Sequence, residues 1–298
     1  MSSSGWRRGV WWGLVGCGLG LGGLGLSGLG AGLANAAPAP LPVLMGSPGQ
    51  EAPLLLGAWE PGRWIAAGPA LASRLSGQER YRRQALWGPP STVRGGRAVS
   101  LGVPCEDAFH VPVTPGAAPG AFEVFASPAL NTRPRPVTPL PTGLTAYREI
   151  VRQELVRRGL RTPQVRLTAL IRADLDGNGT QEVIIEASRF VQRQGEFPPP
   201  VGQPGDYSLL LLRHVVAGQV RTVVLGEHVA PLRPWNPDSA DPMPMATLHR
   251  LAGIADLNGD GRMEVLTHGA YYEGDAFSAQ EWTPTGGLKI RLESGCGV

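Results

Sequence analysis

Lysine is almost missing from this chain. Of its 27 basic residues, Lys289 alone is not arginine. Two accounts of that bias are a GC-rich coding composition and a surface built on guanidinium groups. Charge of either sign is scarce, at 17% of residues, and the formal net charge is only +3. A nucleic-acid binder announces itself by a basic stripe or a strongly basic domain, so no nucleic-acid partner is expected. Signature motifs of the common enzyme classes are absent as well. There is no G-x-S-x-G elbow, no H-E-x-x-H helix and no Walker loop. The five histidines, at 110, 214, 228, 249 and 268, fall at no ligand-like spacing. Cysteine is rare too, with three in 298 residues.

What the chain does have is a 42% hydrophobic content, 42 glycines and 29 prolines. Gly and Pro together make up about a quarter of the residues, which favours short strands and many turns over long helices. The length suits one large or two small domains.

Residues 1–36 read as an export signal. "WRRGVWW" supplies a cationic start, a Gly/Leu-rich apolar stretch runs to about Leu33, and Ala34 and Ala36 offer small residues for cleavage. The Arg7-Arg8 pair and the glycine-rich core resemble a twin-arginine signal, although the usual Ser/Thr before the pair and Phe-Leu-Lys after it are missing. A rival reading is a lipoprotein signal, in which "LVGC" resembles a lipobox and Cys17 carries the lipid; a third is a retained anchor. The expected location is secreted, periplasmic or cell-envelope. Losing Arg7 and Arg8 reduces the 27 basic residues to 25, against 24 acidic ones. Cleavage would also leave an even pair, Cys105 and Cys296, and an exported chain with two cysteines points to one disulfide. Two unpaired thiols are the alternative.

Residues 37–113 read as a Pro/Ala-rich flexible leader to about Gln50, followed by a β-rich region. Its short strands are "LLLGAW", "RWIAA", "ERYRRQALW", "GRAVSLGV" and "AFHVPV", with Trp59, Trp64 and Trp87 as expected core residues. Residues 114–142 are dense in proline around one apolar island, "AFEVFAS", and read as a linker or surface excursion. One amphipathic helix is predicted over "TAYREIVRQELVRRGL". Thr145 is its N-cap, Tyr147, Ile150, Val151 and Leu155 form its apolar stripe, and Gly159 caps its end with Leu160 folded onto Leu155.

From there to the end, residues 143–298 follow one plan twice: strand, acidic turn, strand, strand, strand. "VRLTALIRA" enters the turn "DLDGNGTQE" and "EVIIEAS" leaves it; "TLHRLAGIA" enters "DLNGDGRME" and "EVLTHGAYY" leaves it. "YSLLLLRHVV" is apolar enough for burial on both faces. In the last strand Leu288, Ile290 and Leu292 alternate with Lys289, Arg291 and Glu293, as for one core face and one wet face. The fold class is therefore mainly β, with α+β at the margin. It comprises two four-stranded, blade-like antiparallel units, an N-terminal β-rich region and one helix.

The acidic turns have the chemistry of a hard-cation site. Asp174, Asp176 and Asn178 stand at positions 1, 3 and 5, Gly179 at 6, Thr180 at 7 and Glu182 at 9. Asp256, Asn258, Asp260, Gly261, Arg262 and Glu264 repeat that spacing. Alternate side chains around a tight loop can converge their oxygens on one centre, as in the first half of an EF-hand loop. An EF-hand proper is excluded, because position 12 holds Ile185 or Thr267 and the flanks are strand-like. A turn whose acids only bond their own backbone is the plainer alternative. Asn178-Gly179-Thr180 also fits a glycosylation acceptor, but a sugar there would block a metal.

Both turns resemble the loops of FG-GAP or VCBS-type repeats of integrin-α-like β-propellers, over about Val165–Val298. The resemblance implies two structural Ca²⁺ sites. Asp174, Asp176, Asn178, Thr180 by its carbonyl and Glu182 would form one set; Asp256, Asn258, Asp260, Arg262 by its carbonyl and Glu264 would form the other. Position 9 is Glu where the integrin version commonly has Asp. Only two repeats are present, whereas a closed propeller needs at least about four, so the two units are expected to stack in another way. The expected function is binding or structural at the envelope, with a protein or glycan ligand that the sequence leaves unknown. The alternative is an exported hydrolase with structural calcium. It would use His268 and Glu273 as acid and base, near Tyr271, Tyr272 and Asp275.

Overall fold

The computed structural model describes residues 39–116, 120–193 and 195–297. The expected export segment, with Cys17, lies outside them. Pro38–Val298 forms one compact unit.

The two repeats are antiparallel meanders. The first contains β11 (Leu167–Ala173), β12 (Glu182–Arg189), β13 (Tyr207–Val216) and β14 (Gln219–Val229). The second contains β15 (Leu248–Ala255), β16 (Glu264–Tyr271), β17 (Gly274–Thr283) and β18 (Gly287–Gly297). Each acidic turn joins the first two strands of its meander, β11 to β12 and β15 to β16. The "LLLL" run of β13 is buried on both faces. Leu210 and Leu212 meet Leu251, Ile254 and Val265 of the second meander. Leu209 and Leu211 meet Val151, Leu155 and Leu160. Alternation along a strand sends successive side chains to opposite faces, so burial on both faces requires an unbroken apolar run.

Val151 and Leu155 belong to helix α2 (Thr145–Arg157) and Leu160 follows its C-terminal cap; the helix covers the outer face of the first meander. Its end follows the expectation: Leu160 N–H donates to Leu155 O (3.0 Å), Gly159 N–H donates to Val156 O (3.0 Å), and Gly159 has φ 98°. Its start does not. Thr145 is already helical, Leu144 is the cap, and no side chain caps the first turn.

The N-terminal half forms a nine-stranded sheet that curls into a half-barrel. Its centre contains β1 (Leu41–Gly46), β2 (Leu54–Glu60), β4 (Arg80–Ala85) and β9 (Glu123–Ala126). β1 pairs with both β2 and β9, and β9 pairs with β4. One face buries Leu44, Leu55, Tyr81 and Phe125, together with Leu71 of a four-residue helix, Pro69–Ala72. The other face packs Val43, Met45, Leu56 and Val124 onto Leu266, Phe277 and Leu292 of the second meander. The layers run α2, first meander, second meander, half-barrel.

Four expectations are corrected here. The "leader" contains β1, a central buried strand; the prolines around "LPVLMG" masked its apolar run. The "linker" supplies buried β9 and also β10 (Val137–Pro139), which pairs with β11 and makes the first sheet five-stranded where four strands were expected. The tryptophans do not form the core. Trp59 and Trp64 are half-buried against each other with ring centroids 5.0 Å apart, and Trp87 is 48% exposed. Finally, the alternation in β18 breaks. A bulge sets Gln280 opposite Ile290 and Ala279 opposite Leu292, leaving Arg291 unpaired. An extra residue switches faces, so Leu288 packs towards the first meander, Leu292 packs towards the half-barrel, and Ile290 is 58% exposed.

Candidate functional site

The two acidic turns have the same backbone. Gly177 and Gly179 have φ 78° and 85°; Gly259 and Gly261 have φ 77° and 85°. Positions 4 and 6 both lie in the left-handed region, where a side chain is strained and glycine is not. Between them the chain turns tightly enough for position 1 to bond across the loop. Asp174 accepts from the N–H groups of Gly177 (2.8 Å) and Gly179 (3.1 Å). Asp256 accepts from those of Gly259 (2.7 Å) and Gly261 (2.9 Å).

The remaining side chains repeat as well. Asp176 accepts from Asn178 N–H (3.1 Å), and Asn178 Oδ1 accepts from Thr180 N–H (2.6 Å). In the second turn Asn258 Oδ1 accepts from Asp260 N–H (3.0 Å), and Asp260 accepts from Arg262 N–H (2.8 Å). At position 9, Glu182 Oε2 accepts from Leu175 N–H (2.8 Å) and Glu264 Oε2 accepts from Leu257 N–H (2.9 Å). All these bonds would satisfy an Asx-type turn without any ion.

One atom in each turn does not fit that plainer account. Glu182 Oε1 and Glu264 Oε1 are buried and have no hydrogen-bond partner, in residues that are 1% and 0% exposed. A buried carboxylate oxygen without a partner is costly. Burial first, and then the neighbouring Asp charges, push the carboxyl of Glu182 up to about 7 and that of Glu264 up to about 8. The geometry of the turns then diverges. Asp174, Asp176 and Glu182 offer oxygens that all lie within 4.8 Å of one another; no such group forms around Glu264 among the described residues. There Asp260 pairs with Arg262 instead (3.6 Å).

A consequence for pH follows from the two glutamates. Their folded values lie above the ordinary 4.5, so the folded chain holds protons more tightly than the unfolded one. In metal-free protein this stabilisation is present below pH 4.5 and is lost as pH rises through about 7 and 8. Urea midpoints in chelator should therefore fall between pH 5 and 8, and Glu264→Gln should remove much of that fall. A flat profile for the parent protein would contradict this.

Sequence reasoning missed the residue that joins the two turns. Arg135 donates from Nε to Asp174 O (2.5 Å), and from Nη2 to Leu175 O (2.9 Å) and Gly261 O (2.6 Å). It also lies 3.7 Å from Asp174 Oδ2. Two backbone bonds reinforce the link: Met263 N–H donates to Leu175 O (2.9 Å), and Asp256 N–H donates to Thr132 O (2.9 Å). The available signal was "TRPRP", where prolines on both sides of Arg135 hold the backbone extended and fix its aim.

The suggested acid/base pair does not form. His268 is 2% exposed and is ringed by Phe122 and Phe277 at 4.9 and 4.7 Å. Its carboxylate partner is Asp275 (Nε2 to Oδ2, 2.7 Å); Glu273 is bonded to Tyr272 instead. Burial lowers the His268 pKa, and the Asp275 bond opposes that shift. Asp275 and Tyr271 line a cleft of about 580 Å³ with Glu106, Asp107 and Glu293. Cys105 and Cys296 form its rim at disulfide distance.

No protein-family model, curated protein or solved structure matches this chain.

Proposed function

We propose that the chain is an exported calcium-binding β-protein whose two acidic turns hold Ca²⁺ structurally, and that its role is binding or structural at the cell envelope. The observation that carries this reading is the partnerless buried oxygen of Glu182 and of Glu264, each in a turn of two further carboxylates. A hard cation with oxygen ligands satisfies such an atom and removes the penalty of its charge. Asp174, Asp176, Asn178, Glu182 and the Thr180 carbonyl would hold one ion. Asp256, Asn258, Asp260, Glu264 and the Arg262 carbonyl would hold the other, with Asp260 released from Arg262. The ion's contribution is to neutralise the carboxylates and lock the connection between the first two strands of each meander.

Two stacked four-stranded meanders with matched loops support the resemblance to FG-GAP or VCBS-type blades. The disulfide-distance pair supports an oxidising compartment. No helix among the described residues is long and apolar enough to cross a membrane.

The test is thermal melting in excess chelator against about 10 mM Ca²⁺. For dissociation constants of roughly 0.1–1 mM, linkage predicts about 1.5–2.5 kcal/mol per site. The two sites together contribute about 3–5 kcal/mol, which raises Tm by roughly 6–20 °C in a chain of this size. Coincident melts, with no calcium by elemental analysis, would overturn the reading. The hydrolase alternative draws on the His268–Asp275 pair beside the 580 Å³ cleft. Burial behind Asp275 keeps His268 from contact with a substrate, so the binding reading is preferred.

A further inference from the structure

One side of β4 and the extended segment 131–136 line a cleft of about 330 Å³. Strand alternation brings Arg82 and Gln84 to that side of β4. The segment contributes Asn131, Arg133 and Arg135, together with Pro134 and Pro136. Three arginine side chains thus line one cleft.

Their charges are poorly compensated. Arg133 is half-buried and donates only to neutral acceptors: Nη1 to Leu86 O (3.0 Å) and Nη2 to Ala85 O (3.2 Å). With the Gln84 amide turned so that its nitrogen donates to Thr132 Oγ1 (2.6 Å), its oxygen accepts from Arg133 Nε (2.9 Å). Among the described residues no carboxylate pairs with Arg133, and burial lowers its pKa. Arg82 is half-buried too, and among the described residues it has neither an ion pair nor a hydrogen bond from its guanidinium. Arg135 has a carboxylate at 3.7 Å, on the side of the acidic turn. Like charges held together in a partly desolvated cleft repel one another, and an anion placed among them reverses the sign of that interaction. The fixed fork of arginine matches two oxygens of one anionic group. The cleft is at the small end of ligand sites, which run from about 300 Å³ upwards.

We propose that this cleft binds the oxyanion group of a small ligand, a phosphate, sulfate or carboxylate, with Arg82 and Arg133 as its principal contacts and Arg135 supporting them by charge. Asn131 and Gln84 supply polar neighbours at its edge. Arg82 and Arg133 pair with no carboxylate of either set among the described residues, and Arg135 alone joins the cleft to the acidic turns.

The experiment is titration of the folded, disulfide-bonded protein with inorganic phosphate, sulfate and acetate in turn. It is read by calorimetry and by the arginine Nε–H signals in NMR. The buffer is low in chloride to limit screening and free of calcium, which phosphate would precipitate. Saturable binding of at least one anion is expected. Arg82→Gln removes a charge that supports no contact in the fold, so its Tm should match the parent while affinity falls about 10- to 100-fold, as for a lost charge-assisted contact. Arg221→Gln, at an exposed position on β14, should leave affinity unchanged. Which anion binds most tightly distinguishes a tetrahedral ester group from a carboxylate. No binding of any of the three up to about 20 mM, or equal affinity in Arg82→Gln, would overturn the proposal. Failure here leaves the calcium reading intact, because the melts in chelator and Ca²⁺ are a separate measurement.

Discussion

Reducing the Cys105–Cys296 pair should lower stability by about 5 kcal/mol on a loop-entropy estimate, with about 2–5 kcal/mol usual for a native bridge. The bridge closes a sequence separation of 191 residues. What it joins matters as much as the length of the loop. Cys105 lies in a turn held locally by two backbone bonds, Cys105 N–H to Gly102 O and Ala108 N–H to Cys105 O. Cys296 lies near the end of β18, opposite Asp275. The bridge thus ties the turn at Cys105 to the last strand of the second meander, beside the apolar cluster of Ala108, Phe277 and Leu292. The urea midpoint of a Cys105→Ser/Cys296→Ser variant should drop accordingly, with a Tm decrease of roughly 10–20 °C. The same midpoint with and without reductant, or two alkylatable thiols in the unreduced protein, would contradict the assignment.

Arg135→Ala should cost about 3–5 kcal/mol, nearly as much, without replacing a predicted metal ligand. The substitution strips charge-assisted donors from the carbonyls of Asp174, Leu175 and Gly261. Each such bond is worth about 1.5–3 kcal/mol, and the three do not add fully. Arg135→Lys is the sharper test. It keeps the charge but has no planar fork to reach acceptors in both turns, so it should recover less than half of the loss. Urea unfolding of the three proteins in chelator isolates this effect from calcium. A lysine variant as stable as the parent would mean that only the charge matters.

These two predictions differ in how visible their residues were. The cysteine pair was legible by counting, because two of the three cysteines lie outside the expected export segment and have one way to pair. The meanders were legible because β13 is an unbroken apolar run and each acidic turn is a local pattern of spacing. The C-cap at Gly159–Leu160 was legible for the same reason. Arg135 was not, since its acceptors Asp174 and Gly261 are distant in sequence and adjacent only after the sheets stack. β1 and β9 were obscured by proline-rich flanks, and nothing local says that such short runs meet at the centre of a half-barrel. The face switch at Ile290 depended on a bulge opposite Ala279 and Gln280, which pairing creates and composition does not record.

The amino-acid sequence by itself determined a mainly β chain, two copies of one oxygen-rich turn and the cysteines available to pair, because each depends on neighbours along the chain. Tertiary structure alone decided that position 9 of each turn leaves one buried oxygen unbonded, and that His268 meets Asp275 rather than Glu273. It also decided that Arg82 lines one cleft with Arg133 and Arg135. Burial and charge compensation depend on which distant surfaces come together, and a linear pattern does not contain that information.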